Sequence, residues 1–151
     1  MVGGDQAVFD AALPVMECYA ARVVRMGDAG KGQQAKMCNQ ICITGLVQGL
    51  SEALNFAIAA DLDTDALLEA ISGGAAQSWQ MVNRGHTMVK NEFDFGFAID
   101  WMRKDLGIAL GTAKDIGARL PLTALVDQFY SDVQSMDGGR WDTSSLLRRL
   151  K

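Results

Sequence analysis

"QQAKMCNQICITGLVQGLSEALNFAIAA", residues 33–60, decides how the chain folds. Cys38, Ile41, Cys42, Gly45, Leu46, Gly49, Ala53, Phe56 and Ala60 recur at the three- and four-residue intervals of one broad helical stripe. No proline interrupts the run, so the spacing predicts a single long helix. Gly45, Gly49, Ala53 and Ala57 form a row of small residues at intervals of four. Such a row lowers helix propensity, and its use is to let another helix approach closely. Gln48, Ser51, Glu52 and Asn55 interrupt the most apolar part, which argues against a transmembrane span.

On the N-terminal side the punctuation is different. "MVGG" is an apolar stub, and "DQAVFDAALPVMECYA" has helical spacing in Val8, Ala12, Val15 and Tyr19. "ARVVRMG" then reads as a short strand stopped by Gly27. Stub, helix and strand belong to an α/β sheet, yet two strand candidates do not make a stable one. Residues 1–28 therefore read as an α/β remnant, with more sheet expected ahead of residue 1, and residues 29–151 as an all-helical domain. The predicted fold is mainly α, a helical bundle around one long helix.

On the C-terminal side every signal is helical. Asp63 and Thr64 are capping candidates for "ALLEAI", which stops at Gly73 and Gly74. "AAQSWQMVNRGHTMVKN" reads as helix and "EFDFGF" as loop. A helix from Asp100 to Gly117 is expected to turn Trp101, Leu106, Ala109, Leu110 and Ala113 inward, and another begins near Leu122 after Pro121. "WDTSSLLRRL" closes the chain as a short capped helix.

The chain has 151 residues, enough for one domain with its own core. Its apolar fraction of 49% and charged fraction of 21% are those of a globular protein. A net charge of −4, with no basic run, argues against nucleic acid and against an anionic membrane surface as partner. Three cysteines and one histidine supply no zinc signature, and Cys38 and Cys42 are expected to be buried, reduced thiols. "MVGGDQAVFD" lacks the features of a signal peptide, so a cytoplasmic location is expected.

Chemistry concentrates at the start of the long helix, in "GKGQQAKMCNQ". Lys36, Asn39 and Gln40 share one helical face near the first turns, where glycines leave room for an approaching group. A lysine held there, partly desolvated, is the kind that serves as acid or base, and carboxamides hold hydroxyl and carboxylate groups without adding charge. By spacing alone, a solvated lysine beside two exposed amides fits the same pattern. A phosphate loop does not: the glycine interval is too short, and no Ser or Thr follows the lysine.

Four motifs, "GDAGKGQQAKMCNQ", "SGGAAQSW", "GFAIDWMRKDLGIAL" and "ARLPLTA", resemble in order and spacing the C-terminal half of the β-hydroxyacid dehydrogenases. That family includes 3-hydroxyisobutyrate dehydrogenase and tartronate semialdehyde reductase, with 6-phosphogluconate dehydrogenase as a distant relation. The resemblance implies that a dinucleotide-binding domain precedes these helices, and that "MVGG…RVVRMG" is its last strand-helix-strand. It places the family's catalytic lysine on Lys36 and its substrate amide on Asn39 or Gln40. It also places cofactor contacts on Lys104, Phe97 and Asp105, with Asp105 orienting the lysine, and it has Phe97, Ser78 and Trp79 lining the cleft. The implied cofactor is NAD or NADP, the substrate a short hydroxy acid or its semialdehyde, and the assembly a homodimer or homotetramer.

Other readings stand beside it. Lys104 could equally be a surface lysine paired with Asp100, and Trp79 and Phe97 could be core residues. His86 reads as a helix-surface residue, and Met81, Met88 and Met102 as core filler. The whole chain could be a helical dimerisation module, or the same scaffold could serve 6-phosphogluconate-type chemistry, although no basic cluster for a phosphate is evident.

Overall fold

A computed structural model describes residues 1–150. Six α-helices follow one another: α1 Gln6–Glu17, α2 Lys31–Ala59, α3 Thr64–Ile71, α4 Trp79–Val89, α5 Ile99–Ile116 and α6 Pro121–Gln134. A 3₁₀ helix, Thr143–Leu150, closes the chain. The only β pairing among the described residues consists of two isolated bridges, Val2 to Arg25 parallel and Ala98 to Asp142 antiparallel. The predicted mainly helical architecture is the one observed. The chain divides into two compact units, Met1–Gln40 and Ile41–Lys151.

In the first unit, the strand expected in "ARVVRMG" shrinks to one bridge. Val2 N–H donates to the Val24 carbonyl at 2.9 Å, and Met26 N–H donates to the Val2 carbonyl at 2.8 Å. One such pairing offers no sheet face for a helix to cover. Accordingly α1, capped by the Asp5 side chain on the amides of Ala7 and Val8, leaves Val8, Val15 and Tyr19 exposed. The turn into α2 depends on glycine. Gly27 and Gly30 have φ of 125° and 91°, conformations that L side chains rarely adopt. Gly32 lies against backbone: a Cβ there would sit 2.8 Å from the Gly3 nitrogen.

The long helix is as predicted in extent, but its buried face is not the predicted one. Gln40, Thr44, Val47, Gln48, Leu50, Ser51, Leu54 and Ala57 are buried. Leu46, Phe56, Cys38 and Cys42, all assigned to the packing stripe, are exposed, so the two thiols are not core residues. The helix is apolar nearly all round, and hydropathy alone could not choose between its faces. The face it buries is partly polar; some of these groups find partners along the helix, while Gln48 Oε1 is buried without a hydrogen bond among the described residues. The Ser51 hydroxyl donates to the Val47 carbonyl at 2.8 Å, and the Gln48 amide donates to Glu52. By length and composition alone α2 could cross a membrane. Its Val47, Leu50 and Leu54, however, anchor the packed clusters of the helical unit.

Two clusters form the core of the second unit. Val47, Ile99, Met102, Leu106, Val126, Tyr130, Val133 and Leu146 make one, and Leu50, Leu54, Leu68, Met81, Met88, Phe93 and Leu147 make the other. Trp141 packs against both. Each fully buried Leu or Met contributes on the order of 1.5–3 kcal/mol through lost apolar exposure. The caps set the helix boundaries. Asp63 starts α3 as expected, while Ser78 accepts from the Met81 amide and delays α4 to Trp79, four residues past the predicted start. Gly117, at φ 74°, ends α5, and Pro121 opens α6. Leu106, Ala109 and Ala113 of α5 are buried as predicted, but Trp101 is half exposed.

Candidate active site

The first turns of α2 bring Lys36, Asn39 and Gln40 together. The Lys36 ammonium donates to Gln40 Oε1 at 3.0 Å, and the Asn39 amide donates to the same oxygen at 2.9 Å. Gln40 is only 2% exposed, so this shared acceptor is a fixed point. Asn39 and Lys36 are exposed residues, and the partial desolvation expected for the lysine is not seen in the chain. What the geometry supplies is aim: a four-residue interval sets the ammonium over the glutamine, and burial of the glutamine fixes where that ammonium sits.

The second set of predicted residues lies on α5 and the loop before it. Lys104 Nζ is 2.9 Å from Asp105 Oδ1 and 5.6 Å from the centre of the Trp101 ring. Asp100, the alternative partner, instead accepts from the Gln134 amide. The Lys104 side chain is 55% exposed while that of Asp105 is 16% exposed, so the carboxylate steadies a cation that faces outward. Phe97 is 39% exposed, which removes the reading of this ring as core. Trp79 is likewise exposed, with the Arg84 guanidinium over its ring at 4.9 Å. The Ser78 hydroxyl serves as a helix cap. His86 is on the surface, bonded to Asp65 at 2.9 Å.

Two residues that sequence reasoning passed over are Arg84 and Asp142. The buried Asp142 carboxylate accepts from Arg84 Nε at 3.2 Å, from the Phe97 amide at 2.9 Å, and from the Ser144 amide and hydroxyl at 3.1 and 2.6 Å. "WDTSS" carries a visible capping signal, but nothing in the sequence links it to an arginine 58 positions away.

A lysine and two amides share one face of α2, while a second cation and two exposed aromatic rings, Phe97 and Trp101, belong to α5 and the loop before it. The chain belongs to the family described as the NAD-binding domain of NADP-dependent 3-hydroxyisobutyrate dehydrogenase, which matches residues 30–150. It is 61% identical to an uncharacterized oxidoreductase of Shewanella frigidimarina, over all of this chain and 52% of that protein. It is 36% identical to 2-hydroxy-3-oxopropionate reductase of Escherichia coli, again over all of this chain and 52% of the relative. The solved structure of Mycobacterium tuberculosis 3-hydroxyisobutyrate dehydrogenase with L-serine superposes with a TM-score of 0.88 at 30% identity, covering 100% of this chain and 54% of that one. The chain thus spans about half the length of the relatives it matches.

Proposed function

We propose that this chain is the helical portion of an NAD(P)-dependent oxidoreductase that interconverts a short β-hydroxy acid, of the 3-hydroxyisobutyrate kind, and its semialdehyde. The observation that carries the reading is the Lys36–Gln40–Asn39 cluster. An alcohol gives up hydride readily only as its O–H proton leaves, and a semialdehyde accepts hydride readily only as its oxygen gains a proton. Lys36 Nζ, held by the buried Gln40, is the group that takes or returns that proton. Asn39, exposed beside it, is the substrate clamp, while the Gln40 oxygen already holds both neighbours.

The exposed Phe97 ring and the outward Lys104 cation, steadied by Asp105, fit a nicotinamide dinucleotide: an apolar surface for a flat ring and a positive charge for a phosphate or polar oxygen. When bound, the dinucleotide supplies or accepts the hydride. A location in the cytoplasm suits three unpaired, exposed cysteines.

The outward face of α2 favours a second role for the same domain. Phe56 is 71% exposed, and Leu46 on the same helix is also uncovered. Large apolar side chains spread along one helix in this way favour pairing with another copy of the chain.

Lys36→Ala in the complete enzyme tests the catalytic reading. Turnover is expected to fall by about 10²–10⁴-fold with dinucleotide binding retained. Unchanged turnover would leave the pairing role standing alone.

A further inference from the structure

We propose that Asp142 is a positioning residue for the exposed Phe97, holding the loop that presents this ring and so setting affinity for the dinucleotide. This rests on the assignment of Phe97 to dinucleotide binding.

The loop 93–97 has no helical hydrogen bonds of its own, yet it carries an aromatic ring that is 39% exposed. Its backbone is held from one short segment. Asp142 Oδ2 accepts the Phe97 amide at 2.9 Å, the Thr143 amide donates to the Phe97 carbonyl at 3.0 Å, and the Asp142 amide donates to the Phe93 carbonyl at 2.9 Å. Both backbone polar groups of Phe97 are therefore engaged while its side chain faces outward. The carboxylate making this clamp is 1% exposed, which requires that its charge be met from within the protein. Arg84 Nε meets it at 3.2 Å, and the Ser144 amide and hydroxyl complete its shell through Oδ1. The arginine is itself braced between the Trp79 and Phe95 rings, 4.9 Å from each centre.

Gly96 shows how closely the loop is drawn onto the carboxylate. Its φ is 72°, and a Cβ there would fall 2.0 Å from Asp142 Oδ2. Capping the 3₁₀ helix needs only Oδ1. The second oxygen, spent on the Phe97 amide, fixes the loop.

Asp142→Asn removes the charge that Arg84 faces and leaves one terminal atom unable to accept. Either the Phe97 amide or the Arg84–Ser144 side loses its acceptor. In the complete enzyme the expected result is a rise of about tenfold in KM for the dinucleotide, with kcat changed far less, as for one lost charge-assisted hydrogen bond. A double-mutant cycle with Phe97→Ala separates positioning from general support. If Asp142 acts through the ring, its penalty on KM disappears once the ring is gone. Penalties that simply add, or a loss of kcat that tracks a lowered Tm, overturn the proposal. If Phe97→Ala leaves KM unchanged, the cofactor assignment of Phe97 fails and this inference fails with it. If Phe97→Ala raises KM and Asp142→Asn does not, this inference alone fails. Should Asp142→Asn not fold, Gly96→Ala drives a methyl group against Asp142 Oδ2. The same KM signature is then expected, and an unchanged KM overturns the proposal.

Discussion

Lys36 and Gln40 lie one turn apart on α2, the ammonium 3.0 Å from an amide oxygen whose own residue is almost wholly buried. Because the lysine is exposed, this bond to a buried partner helps to fix its direction. Gln40→Ala in the complete enzyme is expected to lower kcat about tenfold, the worth of one hydrogen bond to a charged group, while dinucleotide affinity stays the same. Steady-state kinetics beside a direct binding measurement checks this. An unchanged kcat would mean that Lys36 needs no such anchor.

The N-terminal unit makes an independent prediction. Gly32 opens α2 against the backbone of Gly3 and Val2, with no flexible side chain able to move aside. Gly32→Ala adds a methyl group 2.8 Å from the Gly3 nitrogen. Loss of the pairing between Val2 and the Val24–Met26 segment is expected, at a cost of about 1–3 kcal/mol for an overpacked contact. Amide exchange at Val2 and Met26 reads it directly. Exchange should quicken at these two sites and remain slow at Leu106 of the helical core.

What was legible in the sequence, and what was not, divides along physical lines. The length of α2, the cap at Asp63, the end of α5 near Gly117 and the core methionines rest on local rules, and the fold followed from them. The face that α2 buries did not, because Leu46 and Phe56 are as hydrophobic as Val47 and Leu54, and only tertiary neighbours choose between them. The grouping of Lys36, Asn39 and Gln40 was legible because helical spacing alone brings them together. The hold of Asp142 on Phe97 crosses 45 positions and was hidden for that reason. Helical spacing on α5 predicts an inward Trp101; half its surface is exposed, and the Lys104 ammonium lies over its ring.

The outward face of α2 predicts self-association. Phe56 is 71% exposed, so replacing it removes little packing within one copy. Phe56→Glu is expected to change the stability of the folded chain by less than about 0.5 kcal/mol, as for an exposed site. It is also expected to shift the mass measured by light scattering from dimer or tetramer toward monomer. A monomeric parent chain, or an assembly indifferent to this charge, would remove α2 from the interface.

Tyr130 provides a prediction in pH. The residue is fully buried in the α5–α6 core, and its hydroxyl lacks a hydrogen bond within bonding geometry among the described residues. Burial pushes the phenol far above its ordinary value of 10.0, the Asp142 carboxylate pushes it further, and the Thr143 side chain offsets only part of this. The raised value belongs to the folded state, so the full stabilisation is present below the unfolded value near 10. Above it, the unfolded chain releases a proton that the folded chain retains. Stability then falls as pH rises, by about 1.4 kcal/mol per pH unit for this one group. Tyr130→Phe removes that dependence and leaves no buried hydroxyl without a partner, so at neutral pH it is expected to be neutral or stabilising by up to about 1 kcal/mol. Denaturant titrations of both proteins at neutral pH and between about pH 10 and 11.5, just above the ordinary tyrosine range, distinguish the outcomes. The two curves should diverge only in the alkaline series, the wild type losing stability faster. Parallel losses would show that the hydroxyl reaches water or a partner at high pH.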